Sequence, residues 1–298
     1  MANTREIKSR MKSIQDTMKI TNAMYMISSS KLKKAKDNLA HTEPYFYNLQ
    51  WAIARIMRHI PDVQSPYFID DHLDIPPEKE RVGYIVVTAD KGLAGSYNHN
   101  VIKLVEQRLQ RPGEKTFFIV GELGRQYFNH AGIPIEEQFH YTVQNPTLGR
   151  TRTIAERVMD YYTQGKLDRV YIIYTKMINS MSSQPEVIRL LPLRKADYLP
   201  KVMDLKGTPG ELVDMLPSPE ELLDHIVKNT VAGFIYSALV ESYASEQNAR
   251  MMAMQSATDS AKDMLKDLTI VLNRVRQAGI TQEITEVISG ARAQKNKK

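Results

Sequence analysis

The first forty residues carry apolar and small side chains in a heptad pattern. Spacings of four and three alternate from residue 7 to residue 39, which is typical of a helix that pairs with another helix in a coiled coil. Two members of the pattern, Thr21 and Ser28, are small and weakly polar, so we expect the partner helix to approach closely there. The seam consists of Ile7, Met11, Ile14, Met18, Thr21, Tyr25, Ser28, Leu32, Ala35 and Leu39.

The last eighty residues predict a second long helix. Its start is marked by Ser218-Pro219-Glu220-Glu221, with serine as the N-cap, proline at the first helical position and glutamate three residues after the cap. All fourteen prolines lie between Pro44 and Pro219, so no proline interrupts the chain beyond them. We expect the two terminal helices to pair in an antiparallel coiled coil. The second seam is predicted as Met254, Ala257, Ala261, Met264, Leu268, Val271 and Val275.

The middle of the chain predicts a small Rossmann-like α/β domain. Short runs rich in β-branched and aromatic residues alternate with candidate helices, an order that favours a largely parallel sheet. The predicted strands are Val82–Ala89, Thr116–Gly121 and Arg169–Lys176, with Glu186–Leu193 as a possible edge strand. The predicted helices are 98–110, 124–131 and 151–164. The resulting division is a helix over 1–59, an α/β foot with connectors over 60–217, and a helix with a basic tail over 218–298.

Charge and composition narrow the possible functions. Both ends are basic, and residues 1–36 hold nine Lys and Arg against Glu6 and Asp16, so acidic partner surfaces are expected there. No apolar stretch is long enough to span a bilayer, so no direct membrane insertion is expected. Without cysteine, the chain forms no disulfide and no thiolate metal site.

The sequence offers no convincing catalytic or cofactor site. Gly92-Leu93-Ala94-Gly95 follows the first strand, where a phosphate loop would lie, but it matches neither glycine-rich phosphate motif. Gly121-Glu122-Leu123-Gly124 fails in the same way, and both are better explained as tight turns. The seven histidines lack metal-ligand spacing. We therefore expect a protein that is not an enzyme and binds no cofactor. Near the C-terminus, Arg276 and Gln277 could bind a carboxylate or simply be solvated.

Two other functional classes stay open at this point. A basic coiled-coil protein could bind nucleic acid, although Tyr25 is the only aromatic residue in the first 36. A nucleotide-dependent enzyme would have to bind ATP as an isolated chain.

Four motifs, in order along the chain, resemble those of the γ subunits of bacterial F-type ATP synthases. They are the stretch from Ile14 through Thr17, Lys19-Ile20-Thr21 and Ala23-Met24 to Met26; Thr88–Gly95; Ser245–Met251; and Ile280-Thr281 with Glu283, Glu286, Gly290-Ala291 and Ala293. The resemblance runs from end to end of the chain.

This resemblance implies a rotary shaft. The terminal helices would form a coiled coil inside a hexamer of three α and three β subunits. The α/β domain would bind the ε subunit and the membrane c ring, with δ elsewhere in the complex. Ion flow through the ring, of H⁺ or Na⁺, would turn the shaft at the cytoplasmic face of the bacterial membrane. The shaft would then drive ATP synthesis or hydrolysis on β without binding nucleotide or nucleic acid itself.

The resemblance also assigns contacts to individual residues. Arg276, Gln277, Thr281 and Glu283 would contact a loop of β, and Met24 would face β across the narrow upper shaft. The basic side chains of the first helix would face the same collar or, lower down, an acidic region of β; they are Arg5, Lys8, Arg10, Lys12, Lys31, Lys33 and Lys34. In the foot, the residues on the side of ε and the c ring would be Thr88, Asp90, Gly92, Leu93 and Gly95.

Overall fold

Along the chain, a long helix is followed by a run of strands and shorter helices and then by a second long helix. The computed structural model describes residues 4–60, 65–69, 75–179, 182–194, 197–198, 216 and 218–295, with side chains up to Arg292. The elements are α1 (Thr4–His59), β1 (Phe68–Ile69), β2 (Arg81–Val87), α2 (Tyr97–Leu109), β3 (Glu114–Val120), α3 (Glu122–His130), α4 (Leu148–Thr163), β4 (Arg169–Met177), β5 (Ser183–Leu191), β6 (Leu193–Arg194) and α5 (Pro219–Lys295).

The boundaries of the long helices follow local chemistry. Helix α5 begins at Pro219, and the backbone N–H of Glu221 donates to the Ser218 side-chain oxygen at 3.1 Å, which confirms the predicted N-cap. Helix α1 continues to His59 although it contains Pro44. Proline removes one backbone hydrogen bond from a helix. The helix beyond Pro44 buries Phe46, Ile53, Ala54 and Ile56, and this burial offsets that loss.

The central sheet has four strands in the order β3-β2-β4-β5. Strand β2 pairs in parallel with both β3 and β4, and β5 closes one edge antiparallel to β4. The predicted parallel sheet and its edge strand are therefore confirmed. Outside this sheet, β1 and β6 form a two-residue parallel pair, in which Leu193, the last residue of the predicted edge strand, pairs with Phe68 instead.

Both faces of the sheet are covered, which explains why its strands are apolar at successive positions. On one face, Val82, Tyr84 and Val86 of β2 join a cluster with residues of α2 and α3. On the other face, Ile85 and Val87 join a larger cluster with residues of α4, α1 and α5. The sheet is thus the middle layer of an α/β unit.

The chain divides into two compact units. One is the α/β unit, residues 29–250, and the other is the coiled-coil unit, residues 1–28 with 251–298. In the α/β unit, α1 and α5 run antiparallel. Phe46 lies against Gly233 and Tyr236, whereas the earlier residue Ala35 shares a cavity with the later residue Tyr243. From Thr230 to Arg250 every residue of α5 is buried or half-buried.

The seam predicted for α1 is confirmed in full. All ten of its members are buried or half-buried, and the residues between them are exposed apart from Met24. In the coiled-coil unit, the Thr21 hydroxyl lies 2.7 Å from the Thr258 hydroxyl of α5. Each hydroxyl also lies within hydrogen-bonding distance of a carbonyl oxygen of its own helix. This buried polar pair favours one register between the two helices.

The seam predicted for α5 is correct at every second position and wrong at the others. Met254, Ala261, Leu268 and Val275 are buried or half-buried as predicted. Ala257, Met264 and Val271 are exposed, and Thr258, Leu265 and Leu272 take their places. Both sets form heptads with Met254, so apolarity alone does not choose between them. The Thr21–Thr258 pair belongs to the register that the structure adopts.

Gly233 provides a test of the contact between α1 and α5 in the α/β unit. A Cβ atom at Gly233 would overlap the ring of Phe46. We expect Gly233→Ala to lower the free energy of unfolding by about 1–3 kcal/mol, the usual cost of overpacking. Urea unfolding followed by circular dichroism measures this change. The matched control is Gly279→Ala in the same helix, where a Cβ atom meets open space and no loss is expected. Equal midpoints for the two variants would contradict the contact.

The Arg81–Asp168 pair provides a test that depends on pH. Arg81 Nη2 lies 2.7 Å and Nε 3.1 Å from the two Asp168 oxygens, joining the start of β2 to the residue before β4. The hydrogen bonds from Arg81 lower the pKa of Asp168 below its usual 3.8. The pair therefore stabilises the fold above pH 3.8, and this contribution is lost as the pH falls through the lowered pKa.

We expect Arg81→Gln to lower the free energy of unfolding modestly at pH 6, because the pair is partly exposed. The difference from the unchanged chain should shrink as the pH falls below 3.8. Urea midpoints across this pH range measure the effect, with the exposed Arg152→Gln as the control. A difference that is independent of pH would show that Arg81 acts through packing alone.

Candidate functional site

The loop after β2 begins with a buried threonine that joins β2 to α3. The Thr88 hydroxyl donates to the Val120 carbonyl oxygen at 3.1 Å and accepts from the Gly124 N–H at 3.0 Å. Gly121, which precedes α3, has a φ of +100°, and a Cβ atom there would overlap the Thr88 carbonyl oxygen. Glycine is required at this position by both the backbone angle and the close approach.

Asp90 supplies an internal anion at the amino end of α3. One carboxylate oxygen accepts from the Glu122 N–H at 3.2 Å. The other accepts from the Thr142 hydroxyl at 2.8 Å and from the N–H groups of Val143 and Gln144 at 3.1 and 3.2 Å. In doubly wound folds, a bound phosphate receives hydrogen bonds at such a helix N-terminus. Here the first N–H groups of α3 already have acceptors: Glu122 donates to Asp90, Leu123 to the Ala89 carbonyl oxygen and Gly124 to the Thr88 hydroxyl. This favours the structural explanation of the loop over a phosphate site.

The rest of the loop holds one buried residue and one exposed apolar residue. Ala94 is buried in a small cluster with Ala89 and Tyr97, against which Ala249 of α5 also packs. Leu93 is 63% exposed and has a φ of +64°, the left-handed region that non-glycine residues seldom adopt. Of the other predicted foot residues, Gly92 and Gly95 are exposed.

A buried ion pair on α5 binds the backbone of this loop. Arg250 is 7% exposed, and its guanidinium donates to the carbonyl oxygen of Lys91 at 2.8 Å and to that of Gly92 at 3.0 and 3.2 Å. Its remaining nitrogen, Nη1, lies 2.6 Å from the carboxylate of Glu246, which is 4% exposed. Burial raises the pKa of Glu246, and the neighbouring Arg250 opposes that rise.

The preceding turns of α5 are bonded to the end of β4. The Ser242 hydroxyl lies 2.7 Å from the Tyr97 hydroxyl and accepts from the Thr175 N–H at 3.2 Å. Ser245 donates to the Thr175 carbonyl oxygen at 3.2 Å. Burial raises the pKa of Tyr97, so its hydroxyl stays neutral. Polar side chains of α5 thus hold the carboxyl end of β4 as well as the loop after β2.

In the coiled-coil unit, the last part of α5 is exposed on every side. From Arg276 to Arg292 no residue is buried or half-buried, although the helix continues to Lys295. The stretch nevertheless carries an apolar stripe at helical spacing. Ile280, Ile284, Val287 and Ile288 are 50%, 55%, 72% and 49% exposed. The part of the chain that the structure describes leaves this stripe uncovered.

The predicted contact residues near the C-terminus all lie on this exposed stretch. Arg276 and Glu283 are seven residues apart and therefore share one face of the helix. Gln277 and Thr281 lie on a neighbouring face, where the Thr281 hydroxyl donates to the Gln277 carbonyl oxygen at 2.9 Å. The four side chains are thus grouped within two turns.

The remaining predicted contact residues are spread along α1. Met24 is half-buried beside the seam. The basic residues are all exposed: Arg5, Lys8, Arg10 and Lys12 in the coiled-coil unit, and Lys31, Lys33 and Lys34 in the α/β unit. Side chains of the basic tail beyond Arg292 lie outside the described residues.

Sequence reasoning did not assign a role to Arg250 and Glu246. Both lie in the Ser245–Met251 motif. The loop residues that Arg250 contacts, Lys91 and Gly92, precede it by about 160 residues, so spacing gave no indication of this contact. The available signal was two opposite charges at i and i+4 in a helical stretch with few other charges. That pattern was a reason to expect a buried ion pair.

The family model described as ATP synthase matches residues 3–294. A protein of Acetivibrio thermocellus named ATP synthase gamma chain is 40% identical over 299 residues, covering 99% of this chain and 100% of that protein. The gamma chain of Ruminiclostridium cellulolyticum is 42% identical and covers 98% of both. The chain belongs to the ATP synthase gamma chain family.

Solved structures share the fold of this gamma chain family member. A chain from the Euglena gracilis mitochondrial ATP synthase, in a structure of OSCP, F1 and the c-ring, aligns with a TM-score of 0.68 at 17% identity. It covers 98% of this chain and 94% of that one. A chain from the Tetrahymena thermophila ATP synthase central stalk and c-ring aligns with a TM-score of 0.59 at 24% identity, covering 80% and 99%. None of the described helices is long and apolar enough to cross a membrane.

Replacing Asp90 tests its role as an internal anion. Asp90→Ala would leave the N–H groups of Glu122, Val143 and Gln144 without their acceptor. Because these hydrogen bonds are exposed or only part-buried, we expect the free energy of unfolding to fall by about 1.5 kcal/mol, the low end for hydrogen bonds to a charged group. Urea unfolding measures the change. Asp259→Ala, which removes an exposed carboxylate paired with Lys262, is the control and should lower the free energy of unfolding much less. Similar losses in both variants would argue against a special role for Asp90.

Proposed function

We propose that this chain is the central rotary shaft of an F1Fo ATP synthase and transmits torque between the membrane c ring and the catalytic β subunits. Membership of the gamma chain family supports this function, and so does the shared fold of the two mitochondrial structures. The proposal includes a non-catalytic role, and it is supported by the loop after β2, where Asp90 accepts from the N–H groups of Glu122, Val143 and Gln144.

The exposed end of α5 is the observation that carries the proposal. A single helix of about 25 Å, exposed all round, gains little stability in water from its own hydrogen bonds. An apolar stripe on such a helix is normally covered by a partner. A surrounding ring of other subunits would cover Ile280, Ile284, Val287 and Ile288 in any rotational position, which a partner on one side would not.

We assign the contacts of the shaft as follows. The ring is the hexamer of three α and three β subunits, and Arg276, Gln277, Thr281 and Glu283 contact a loop of β. Met24 faces β at the narrow upper part of the shaft. The exposed cations of α1 face carboxylates of the ring, at the collar for Arg5, Lys8, Arg10 and Lys12, and lower down for Lys31, Lys33 and Lys34.

The foot has different partners in this proposal. Residues 60–217 meet the ε subunit and the c ring, while residues 1–59 and 218–298 form the shaft. The loop with Thr88, Asp90, Gly92, Leu93 and Gly95 belongs to this foot. The δ subunit completes the complex. The assembly holds the chain peripherally at the cytoplasmic face of the bacterial membrane.

Weak contacts suit a rotating part. Exposed ion pairs contribute roughly 0–1 kcal/mol, whereas breaking a buried pair costs several times more. The exposed cations of α1 and the polar residues of the exposed end can therefore engage a partner and release it again. Buried charge pairs at the same positions would hold the shaft in one orientation.

Replacement of two polar residues tests the contact with β. We expect Arg276→Ala combined with Gln277→Ala to lower ATP turnover of the assembled complex roughly three- to tenfold, as expected for the loss of one or two surface contacts. The helical signal of the isolated chain should not change, because both side chains are exposed. Steady-state ATPase assays of the purified complex measure turnover.

The control for this test removes an exposed pair elsewhere on α5. Asp259→Ala combined with Lys262→Ala deletes an ion pair of 2.9 Å between side chains that are 54% and 59% exposed. Its turnover should match that of the unchanged complex. Unchanged turnover in the Arg276 and Gln277 variant would refute the contact assignment.

A further inference from the structure

A cavity in the α/β unit lies between α1, α5 and the loop before α4. Its volume is about 200 Å³. Cavities that hold drug-sized ligands measure about 300–1,000 Å³, so this one suits a smaller ligand. Its lining includes Lys31, Lys34 and Asn38 of α1, Asn145 of the loop and Tyr243 of α5.

A buried hydroxyl in this lining has no protein partner. Tyr243 is 5% exposed, and its hydroxyl makes no hydrogen bond to a residue that the structure describes. Buried polar groups are nearly always hydrogen-bonded to protein, water or a ligand. Burial raises the pKa of Tyr243, so the hydroxyl keeps its proton and is available as a donor.

The charges around this hydroxyl determine which class of ligand fits. Lys31 and Lys34 are exposed, and neither forms an ion pair with a carboxylate of the described residues. The carboxylates that act electrostatically on the hydroxyl are Glu246, which Arg250 neutralises, and Asp90. The oxygens of Asp90 already accept from N–H groups. Two lysines against one such carboxylate leave an excess of positive charge, which attracts an anion.

The donors come from three separate elements. Helix α1 supplies the two ammonium groups, the loop before α4 supplies the Asn145 amide, and α5 supplies the Tyr243 hydroxyl. The side-chain amides of Asn38 and Asn145 make no hydrogen bond to a described residue, so both have free donors. A phosphate group presents acceptor oxygens in several directions, whereas a carboxylate has only two in one plane. The arrangement therefore favours a tetrahedral oxyanion.

We propose that this cavity is a phosphate site in which Lys31, Lys34, Asn145 and Tyr243 bind a phosphate oxyanion. The inference goes beyond the proposed function, because binding requires this chain alone. Bound phosphate would also neutralise two of the lysines that were assigned above to carboxylates of β. That consequence, unlike the binding itself, rests on the proposed function.

Titration of the full-length chain with inorganic phosphate tests the site. Isothermal calorimetry at constant ionic strength should show saturable binding of one phosphate per chain. We expect Tyr243→Phe to weaken this binding roughly tenfold, because a hydrogen bond to an anion is lost. The variant should fold normally, since the hydroxyl has no partner among the described residues. Heat that does not saturate, or binding that is unchanged in Tyr243→Phe, would overturn the proposal.

A matched pair of lysine variants separates the cavity from the general charge of α1. Lys34→Gln and Lys33→Gln each remove one positive charge from adjacent exposed residues, but only Lys34 lines the cavity. We expect Lys34→Gln to weaken phosphate binding roughly tenfold and Lys33→Gln to weaken it less than about twofold. Equal losses would show that phosphate responds to surface charge alone and would overturn the site. This pair gives the decisive readout if Tyr243→Phe does not fold.

Two further ligands identify the source of the phosphate group and its shape requirement. Because the cavity is small, we expect ADP to bind at least about tenfold more weakly than inorganic phosphate. Tighter binding of ADP that is lost in Lys34→Gln would support the site and assign a nucleotide phosphate as the source. Acetate should bind more weakly than phosphate, and equal binding of the two would overturn the tetrahedral site.

These titrations are independent of the shaft function, because they use the chain outside the complex. If phosphate does not bind, the site is refuted and the shaft assignment stands. If the Arg276 and Gln277 variant leaves turnover of the complex unchanged, the assigned contact with β fails while the titrations still decide the phosphate site.

Discussion

The burial of polar side chains on α5 against the carboxyl ends of β2 and β4 is the interaction on which the α/β unit depends. Burying Glu246 and Arg250 is costly, because two charges lose their hydration. The cost is offset only where the geometry supplies partners for all their groups, here each other and the carbonyl oxygens of Lys91 and Gly92. Apolar contacts would tolerate a small shift of the helix, whereas these hydrogen bonds would not. The polar contacts therefore select one position of α5 on the sheet.

The same helix then serves two different purposes along its length. Between Thr230 and Arg250 it is buried or half-buried at every position, and it is part of the core of the α/β unit. Beyond Arg250 it shows a narrow seam, and from Arg276 to Arg292 it is exposed throughout. The composition follows this change, from apolar and small residues to a heptad and then to a helix with a stripe of isoleucine and valine. One continuous helix can thus join the core of the α/β unit to an exposed surface that is suited to contacts with other subunits.

Sequence reasoning recovered the parts of the fold that depend on local pattern. The α1 seam, the Ser218 cap and the order of strands and helices follow from periodicity and turn chemistry. Three of the seven predicted α5 seam residues were wrong, because Met264 and Val271 are as apolar as Leu265 and Leu272, which take their places. The choice depends on the partner helix, through Thr21 and Thr258. The contacts of Arg250 and the anion role of Asp90 join distant segments, so no local pattern contained them.

The proposed torque transmission places opposite demands on two parts of the chain, and the distribution of charges meets both. A subunit that carries force must not deform internally, so its internal contacts should be expensive to break. The buried Glu246–Arg250 pair and its backbone acceptors meet this demand. A subunit that turns within a sleeve must exchange partners, so its outer contacts should be weak. The exposed cations of α1 and the polar residues beyond Val275 meet that demand. Buried charge pairs at the exposed end of α5 would therefore impede rotation. Weak, exposed contacts at the loop after β2 would let that loop shift against α5.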